Sequence, residues 1–289
     1  MSIGTLYVVA TPIGNLEDLS ARAARVLREV RVIASEDTRH SRLLLQRYDI
    51  STPLVSYHEH NERSRTPELL RRLQAGESVA LVSDAGTPVL SDPGFTLVRQ
   101  AIAAGVPVVP VPGASAITAA LSVAGLPADR FAFLGFLPRK VGERRRALEA
   151  VARIPWTLVL FEAPHRVVHT MRDLHAVLGN RQVAVMRELT KQFEEVIRGT
   201  VSQVAERLQQ TPPRGELTLV IAGGESGKRA AAGRGEITAG DPVAHLRVLL
   251  ASGRSLKDAV RQVTQAHRLQ RRAVYDMALV LQGKRPRGK

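Results

Sequence analysis

Val79-Ala80-Leu81-Val82-Ser83-Asp84-Ala85-Gly86-Thr87-Pro88 reads as a strand buried on both faces that runs straight into a Gly/Pro loop. The loop carries one carboxylate, Asp84, beside Gly86, whose missing Cβ lets the backbone approach a ligand closely. The same pattern occurs three more times. Residues 6–10 lead into Thr11-Pro12-Ile13-Gly14-Asn15, residues 32–35 into Glu36-Asp37-Thr38-Arg39, and residues 106–111 into Pro112-Gly113-Ala114-Ser115-Ala116. In open parallel sheets ligands sit outside the carboxyl ends of the strands, so four such loops predict one cleft. Any one of them alone would pass for an ordinary strand-to-helix turn.

At 289 residues the chain is long enough for two domains and a sizeable core. It has no cysteine, which excludes disulfides, cysteine zinc sites and thiolate catalysis and fits a reducing compartment. No apolar run approaches the roughly 18 residues of a membrane span, and the chain starts almost at once with a strand, so no signal peptide and a cytoplasmic location are expected. The net charge is +14, and residues 241–289 hold 11 Lys/Arg against 3 Asp/Glu. A basic module on a near-ordinary body points to a polyanionic partner.

Residues 1–118 alternate strands and helices, which predicts a parallel sheet with helices on both faces in a first domain over residues 1–124. Asp18 and Ser20 are capping types for a helix over 18–30. Residues 39–48 read as a second helix offering Leu43, Leu44 and Leu45 to the core, and residues 66–73 as a third, ended by Gly76. The polar loop 56–62 carries His58 and His60, but His-x-His in a loop lacks the helical frame of a zinc site, so no metal is expected. Residues 125–222 form a second α/β unit with a mixed sheet, because the strand near 193–199 follows 183–186 too closely to cross over. Arg139, Lys140, Arg144, Arg145 and Arg146 cluster at a helix start, where cations are disfavoured, and so read as a phosphate contact as readily as a solvated face. Residues 223–240 read as a flexible linker. Residues 241–289 read as a helix-turn-helix-like module with Arg261, Arg268, Arg271 and Arg272 around its turn, and a basic tail.

The chain has neither a Gly-x-x-x-x-Gly-Lys-Ser/Thr phosphate loop nor a Gly-x-Gly-x-x-Gly turn, which argues against an NTPase and a standard dinucleotide site. Strand ends bearing Asp84, Ser115 and glycines suit a zwitterionic ligand with a base and a ribose. The motifs Ala10-Thr11-Pro12-Ile13-Gly14-Asn15-Leu16, Ser35-Glu36-Asp37-Thr38-Arg39, Ser83 to Pro88 with Ser91-Asp92-Pro93-Gly94, Pro112 to Ala116, Phe161-Glu162-Ala163-Pro164-His165-Arg166 and Arg187-Glu188-Leu189-Thr190-Lys191 carry a resemblance. Over residues 5–222 the chain resembles the tetrapyrrole-methylase-like (class III) S-adenosylmethionine-dependent methyltransferases. More closely, it is similar to the branch that 2′-O-methylates a cytidine of 16S rRNA in the decoding region of the small ribosomal subunit.

The resemblance implies two α/β/α domains with S-adenosylmethionine between them, a homodimer, and the small ribosomal subunit as partner. It carries the cofactor role to Ile13 and Gly14, to Val82, Ser83, Asp84 and Thr87, to Ser115 and Ala116, and to Glu162 and Leu189. The departure is the first loop. Tetrapyrrole methylases carry Gly-x-Gly-Pro-Gly-Asp there, and this chain has Ala10-Thr11-Pro12-Ile13-Gly14-Asn15, which puts a tetrapyrrole acceptor in doubt. Glu36, Asp37, Glu188 and Lys191 lie at strand ends and are candidates to take a proton from the acceptor, with structural ion pairs as the competing explanation. Arg39, Arg144 and Arg145 join the C-terminal arginines as candidate RNA contacts. A small-molecule methyltransferase and a non-catalytic ribosome-assembly factor are the alternatives.

Overall fold

The computed structural model describes residues 3–224, 242–251, 254–267 and 269–281. Short apolar runs build the first sheet: β1 (Leu6–Val9), β2 (Val32–Ser35), β3 (Leu54–Ser56), β4 (Val79–Val82) and β5 (Val108–Val111). All pair in parallel, in the order β3-β2-β4-β1-β5. Side chains alternate across the sheet. Val9, Ile33, Ala80 and Val82 pack on α1 (Ala21–Glu29) and α2 (Thr38–Arg47). Leu6, Val32, Ala34, Val79 and Leu81 pack on α3 (Glu62–Gln74) and α4 (Phe95–Ala103). Both faces are covered, which is why these strands show no polar face in sequence.

The second sheet is mixed. β6 (Phe131–Phe136) and β7 (Thr157–Glu162) are parallel, and β8 (Gln182–Arg187) and β9 (Glu195–Thr200) are antiparallel. The last strand, β10 (Leu217–Ile221), inserts between β7 and β8, antiparallel to both. One face holds α6 (Val141–Val151), α7 (Val167–Leu178) and α8 (Val201–Gln210). The other face takes α5 (Ala116–Ala124), which follows β5 in the chain. Its Ile117, Ala120, Leu121 and Ala124 pack on Val159, Ala184, Met186 and Val220, so this helix joins the two sheets into one compact unit running to Gly224.

Three expectations change. Leu43 is 64% exposed, because three consecutive leucines on a helix cannot share one face, and only Leu44 and Leu45 enter the core. The third helix begins at Glu62 rather than 66 and takes in the end of the polar loop. Gly223 and Gly224 are packed against residues 152–156, with Gly224 N–H donating to Ile154 O, so they do not act as linker. The remaining linker residues 225–240, the tail 282–289 and Arg268 lie outside the described residues.

The C-terminal unit contains α9 (Pro242–Ala251), α10 (Leu256–His267) and α11 (Arg271–Leu281) around Leu246, Val260, Val263, Val274 and Ala278. Arg261, Arg271 and Arg272 are exposed, and Arg261 reaches Asp258 at 3.2 Å.

The basic cluster at α6 is corrected. Arg144 is buried, with Nη2 2.6 Å and Nε 2.7 Å from Asp173 Oδ2, and donates from Nη1 to Arg139 O. It therefore cannot meet a phosphate. Arg145 is half exposed, but its Nε donates to Asp173 Oδ1 at 2.7 Å. Both guanidiniums serve one α7 carboxylate, whose proton affinity they lower. Removing that acceptor strands a buried cation. Asp173→Ala is expected to cost about 3–5 kcal/mol in denaturant unfolding, and Arg144→Ala a similar amount.

Candidate active site

Loops at the carboxyl ends of β1, β2 and β4 are tied to one another. Thr11 and Gly86 exchange backbone hydrogen bonds of 2.9 and 3.1 Å, and Thr11 Oγ1 donates to Ser83 O at 3.1 Å. The Asp37 N–H donates to Asp84 Oδ1 at 2.9 Å. Asp37 in turn caps α2, accepting from Arg39 N–H at 2.8 Å and pairing with the Arg39 guanidinium at 2.9 Å. The bonds from Arg39 hold the Asp37 carboxyl down at about 2.

The second sheet answers with the turn after β8. Glu188 and Thr190 both adopt left-handed backbone, φ 53° and 66°. Glu188 Oε1 accepts from Lys191 Nζ and from Glu216 N–H, each at 3.0 Å, and Lys191 Nζ also reaches Glu216 Oε2 at 3.1 Å. The Glu216 N–H, then Lys191, lowers the proton affinity of Glu188, while its carboxylates raise that of Lys191. Gly14 seats against this turn, and Asn15 N–H donates to Thr190 Oγ1 at 3.1 Å.

Between the two sets of loops lies a cavity of about 340 Å³. Ile13, Gly86, Thr87, Asp92, Ser115 and Ala116 line it from the first sheet's loops and α5. Phe136, Phe161, Met186, Leu189, Leu217 and Thr218 line it from the second sheet. Apolar walls with a few placed polar groups are the usual make-up of a small-ligand site. Two features shape it for close backbone contact and an anionic group. Gly86 has φ +83°, and a Cβ there would stand 3.4 Å from Ile13 Cγ2. The Ser115 side chain does not cap α5, so the helix presents uncapped amides at the cavity edge.

Of the residues expected to meet a cofactor, Ile13, Thr87, Ser115, Ala116, Glu162 and Leu189 line the cavity. Val82, at the end of β4, and Ser83 and Asp84, which follow it, are not part of the lining, and Gly14 serves the contact between loops. Glu162 is fully engaged. It accepts from Ala163 N–H at 2.9 Å and from the Thr170 hydroxyl, and pairs with Arg166 at 3.2 Å, which fixes the turn after β7.

The candidate proton acceptors divide. Asp37, Glu188 and Lys191 are committed to caps and ion pairs, the competing explanation. Glu36 is different: burial first, then the Asp84 charge, raises its proton affinity. One carboxylate was not singled out from the sequence. Asp92 lies on the cavity wall and is pushed up to about 6 by burial and by Glu36. Its loop is unusual, with left-handed backbone at Val89 (φ 78°) and Ser91 (φ 70°), strain of the kind that concentrates at functional sites. The Ser91-Asp92-Pro93-Gly94 turn was visible in sequence, but the burial of its carboxylate was not.

The family model for tetrapyrrole (corrin/porphyrin) methylases matches residues 5–205. The chain belongs to this family. Among its methylase relatives, "Ribosomal RNA small subunit methyltransferase I" of Pseudomonas aeruginosa is 48% identical over 287 residues, covering 98% of this chain and all of the relative. The protein of that name from Escherichia coli O157:H7 is 43% identical, covering 98% and 97%. The methylase fold recurs in a solved structure, uroporphyrin-III C-methyltransferase of Thermus thermophilus complexed with S-adenosylhomocysteine. It has a TM-score of 0.56 at 24% identity, over 76% of this chain and 97% of that one.

A methyl group at position 14 would stand 2.9 Å from both Leu189 O and Thr190 Oγ1 and would collide with the Lys191 side chain. Gly14→Ala is expected to lower stability by about 1–3 kcal/mol through overpacking. It should also speed hydrogen exchange at the Asn15 amide.

Proposed function

We propose that this methyltransferase uses S-adenosylmethionine to methylate the 2′-hydroxyl of one cytidine ribose in the 16S rRNA of the small ribosomal subunit, acting as a homodimer in the cytoplasm. The observation that carries the reading is similarity over 94–98% of the chain, at 41–48% identity, to relatives named for small-subunit ribosomal RNA methylation. The cavity supports the cofactor. The uncapped amides of α5 suit a carboxylate, and Met186, Leu189 and Leu217 offer an apolar wall to a base. When bound, the cofactor supplies an electrophilic methyl group on a sulfonium.

The protein's own contribution is position. The Thr11–Gly86 bridge and the Asp37–Asp84 hydrogen bond fix the loops on one side of the cavity, and the Glu188–Lys191–Glu216 network fixes the turn on the other. Phe136, Phe161 and Leu90 give the cavity apolar lining. The polyanion acceptor is supported by the exposed Arg39 and by the exposed Arg261, Arg271 and Arg272 of the C-terminal unit. No helix among the described residues is long and apolar enough to cross a membrane.

The experiment is methyl transfer from labelled S-adenosylmethionine to small subunits from cells lacking the protein, followed by nuclease mapping. Label in one alkali-resistant dinucleotide is the expected result. Cofactor binding without label would move the reading to a tetrapyrrole-like small acceptor, and absence of both would leave an assembly factor.

A further inference from the structure

A second concavity, of about 260 Å³, lies at the β9 edge of the second sheet and shares no lining residue with the central cavity. Its charged lining is three arginines and one glutamate, a net of +2. Arg187 ends β8, Glu195 begins β9, Arg207 lies in the last turn of α8, and Arg214 is on the loop before β10. Arg187 and Glu195 stand opposite one another in the β8–β9 ladder. Glu195 accepts from Arg187 Nε at 3.3 Å and from Arg207 Nη2 at 2.8 Å. One carboxylate thus orients two guanidiniums and offsets the charge of one. Arg214 makes no ion pair among the described residues.

Stability does not account for the whole set. A cation in the last turn of a helix complements the helix dipole, which explains Arg207 alone. A cross-strand ion pair explains Arg187 with Glu195. Neither explains a third guanidinium brought to the same lining beside Pro212 and Pro213, where repulsion between like charges opposes it. Nearby carboxylates do not offset it. Glu188 is turned to Lys191 and to the Glu216 N–H, and the Glu216 carboxylate pairs with Lys191.

We propose that Arg187, Arg207 and Arg214 bind a backbone phosphate of the acceptor RNA and so hold the strand beside the central cavity. The inference rests on the RNA-methylation reading given above. Guanidinium forks match phosphate oxygens with two N–H groups at a time, and such contacts fix register without reading sequence. The Glu195 bonds take one N–H group each from Arg187 and Arg207, which leaves the rest of both forks to a ligand. Arg207 and Arg214 are exposed, so a polymer reaches the pocket from its rim. Position favours a strand that also enters the cavity. Leu189 lines the cavity two residues after Arg187, and Glu216 two residues after Arg214. Two residues span at most about 7 Å of backbone. The pocket therefore adjoins the cavity at the turn held by Glu188, Lys191 and Glu216.

The contact has a measurable signature. Neutralising a phosphate releases condensed counterions, so log K falls by about 0.7–0.9 per decade of salt for each contact. Removing one contacting arginine flattens the salt dependence by about that amount. At about 0.1 M salt, a decade below a 1 M reference, it weakens RNA binding about 5–8-fold. An arginine that only supports the fold leaves the slope unchanged. A lysine in its place keeps the charge and the counterion release and loses only the fork.

The test measures Kd for small ribosomal subunits across a salt series, kcat for methyl transfer to them, and S-adenosylhomocysteine affinity. It compares the full-length wild type with Arg207→Gln, Arg214→Gln and Arg214→Lys, and the same proteins are titrated calorimetrically with inorganic phosphate. Arg207→Gln and Arg214→Gln are each expected to raise Kd about 5–8-fold at about 0.1 M salt and to flatten its salt slope by about 0.7–0.9. Both should keep kcat at saturating subunits and S-adenosylhomocysteine affinity. Arg214→Lys is expected to keep the wild-type slope. A Kd and slope unmoved in both glutamine variants would overturn the proposal. So would a loss confined to kcat or to S-adenosylhomocysteine affinity. Saturable phosphate binding that vanishes in Arg214→Gln while the subunit Kd stays put would also overturn it, by making the pocket a site for the free anion. A wild type that binds S-adenosylhomocysteine but transfers nothing to subunits overturns the functional reading itself, a result distinct from these.

Discussion

The site depends on the pinning of the loop after β4. Thr11 pairs with Gly86 on one side, and Asp84 takes the Asp37 N–H on the other. Parallel strands end with backbone groups that no neighbour satisfies, and a loop left to water would not hold a cavity open. Here the first loop, the second loop and the β4 loop satisfy one another, leaving Gly86, Thr87 and Asp92 presented to the cavity in a single arrangement. The opposite wall is fixed in the same manner by Glu188, Lys191 and Glu216, and the two walls meet where Gly14 has no side chain.

This arrangement explains why so many charged residues at the strand ends are unavailable for chemistry. Asp37 is spent on capping α2, Glu162 on the turn after β7, and Glu188 on the amide of Glu216. Asp37 and Glu188 are held in their ionised form by donors within hydrogen-bond reach. Glu36 and Asp92 stand apart because burial and like charge raise the proton affinity of both, and neither makes an ion pair among the described residues. The two groups share residue type and differ only in environment.

Much of the fold was legible because the signal was local. Four apolar runs with no polar face, each followed by a Gly/Pro or acidic loop, specify a doubly covered parallel sheet. The antiparallel β8–β9 pair followed from the shortness of its connection. What the sequence left open is set by partners distant in the chain. Arg144 is buried because Asp173, 29 residues on, lies beneath it. The small residues of α5 suggested a helix but could not say that it would pack on the second sheet through Val159 and Val220. Glu188 looked reactive until Glu216, 28 residues later, supplied an amide. Asp92 sat in a quoted motif, and only tertiary burial distinguishes it from an exposed turn aspartate.

If the cavity between the two sheets holds the methyl donor, a crystal structure of the protein with S-adenosylhomocysteine will show the ligand inside it, in contact with Gly86, Ser115, Met186 and Leu189, with its carboxylate at the start of α5. A ligand bound elsewhere, with this cavity left to water, would contradict it.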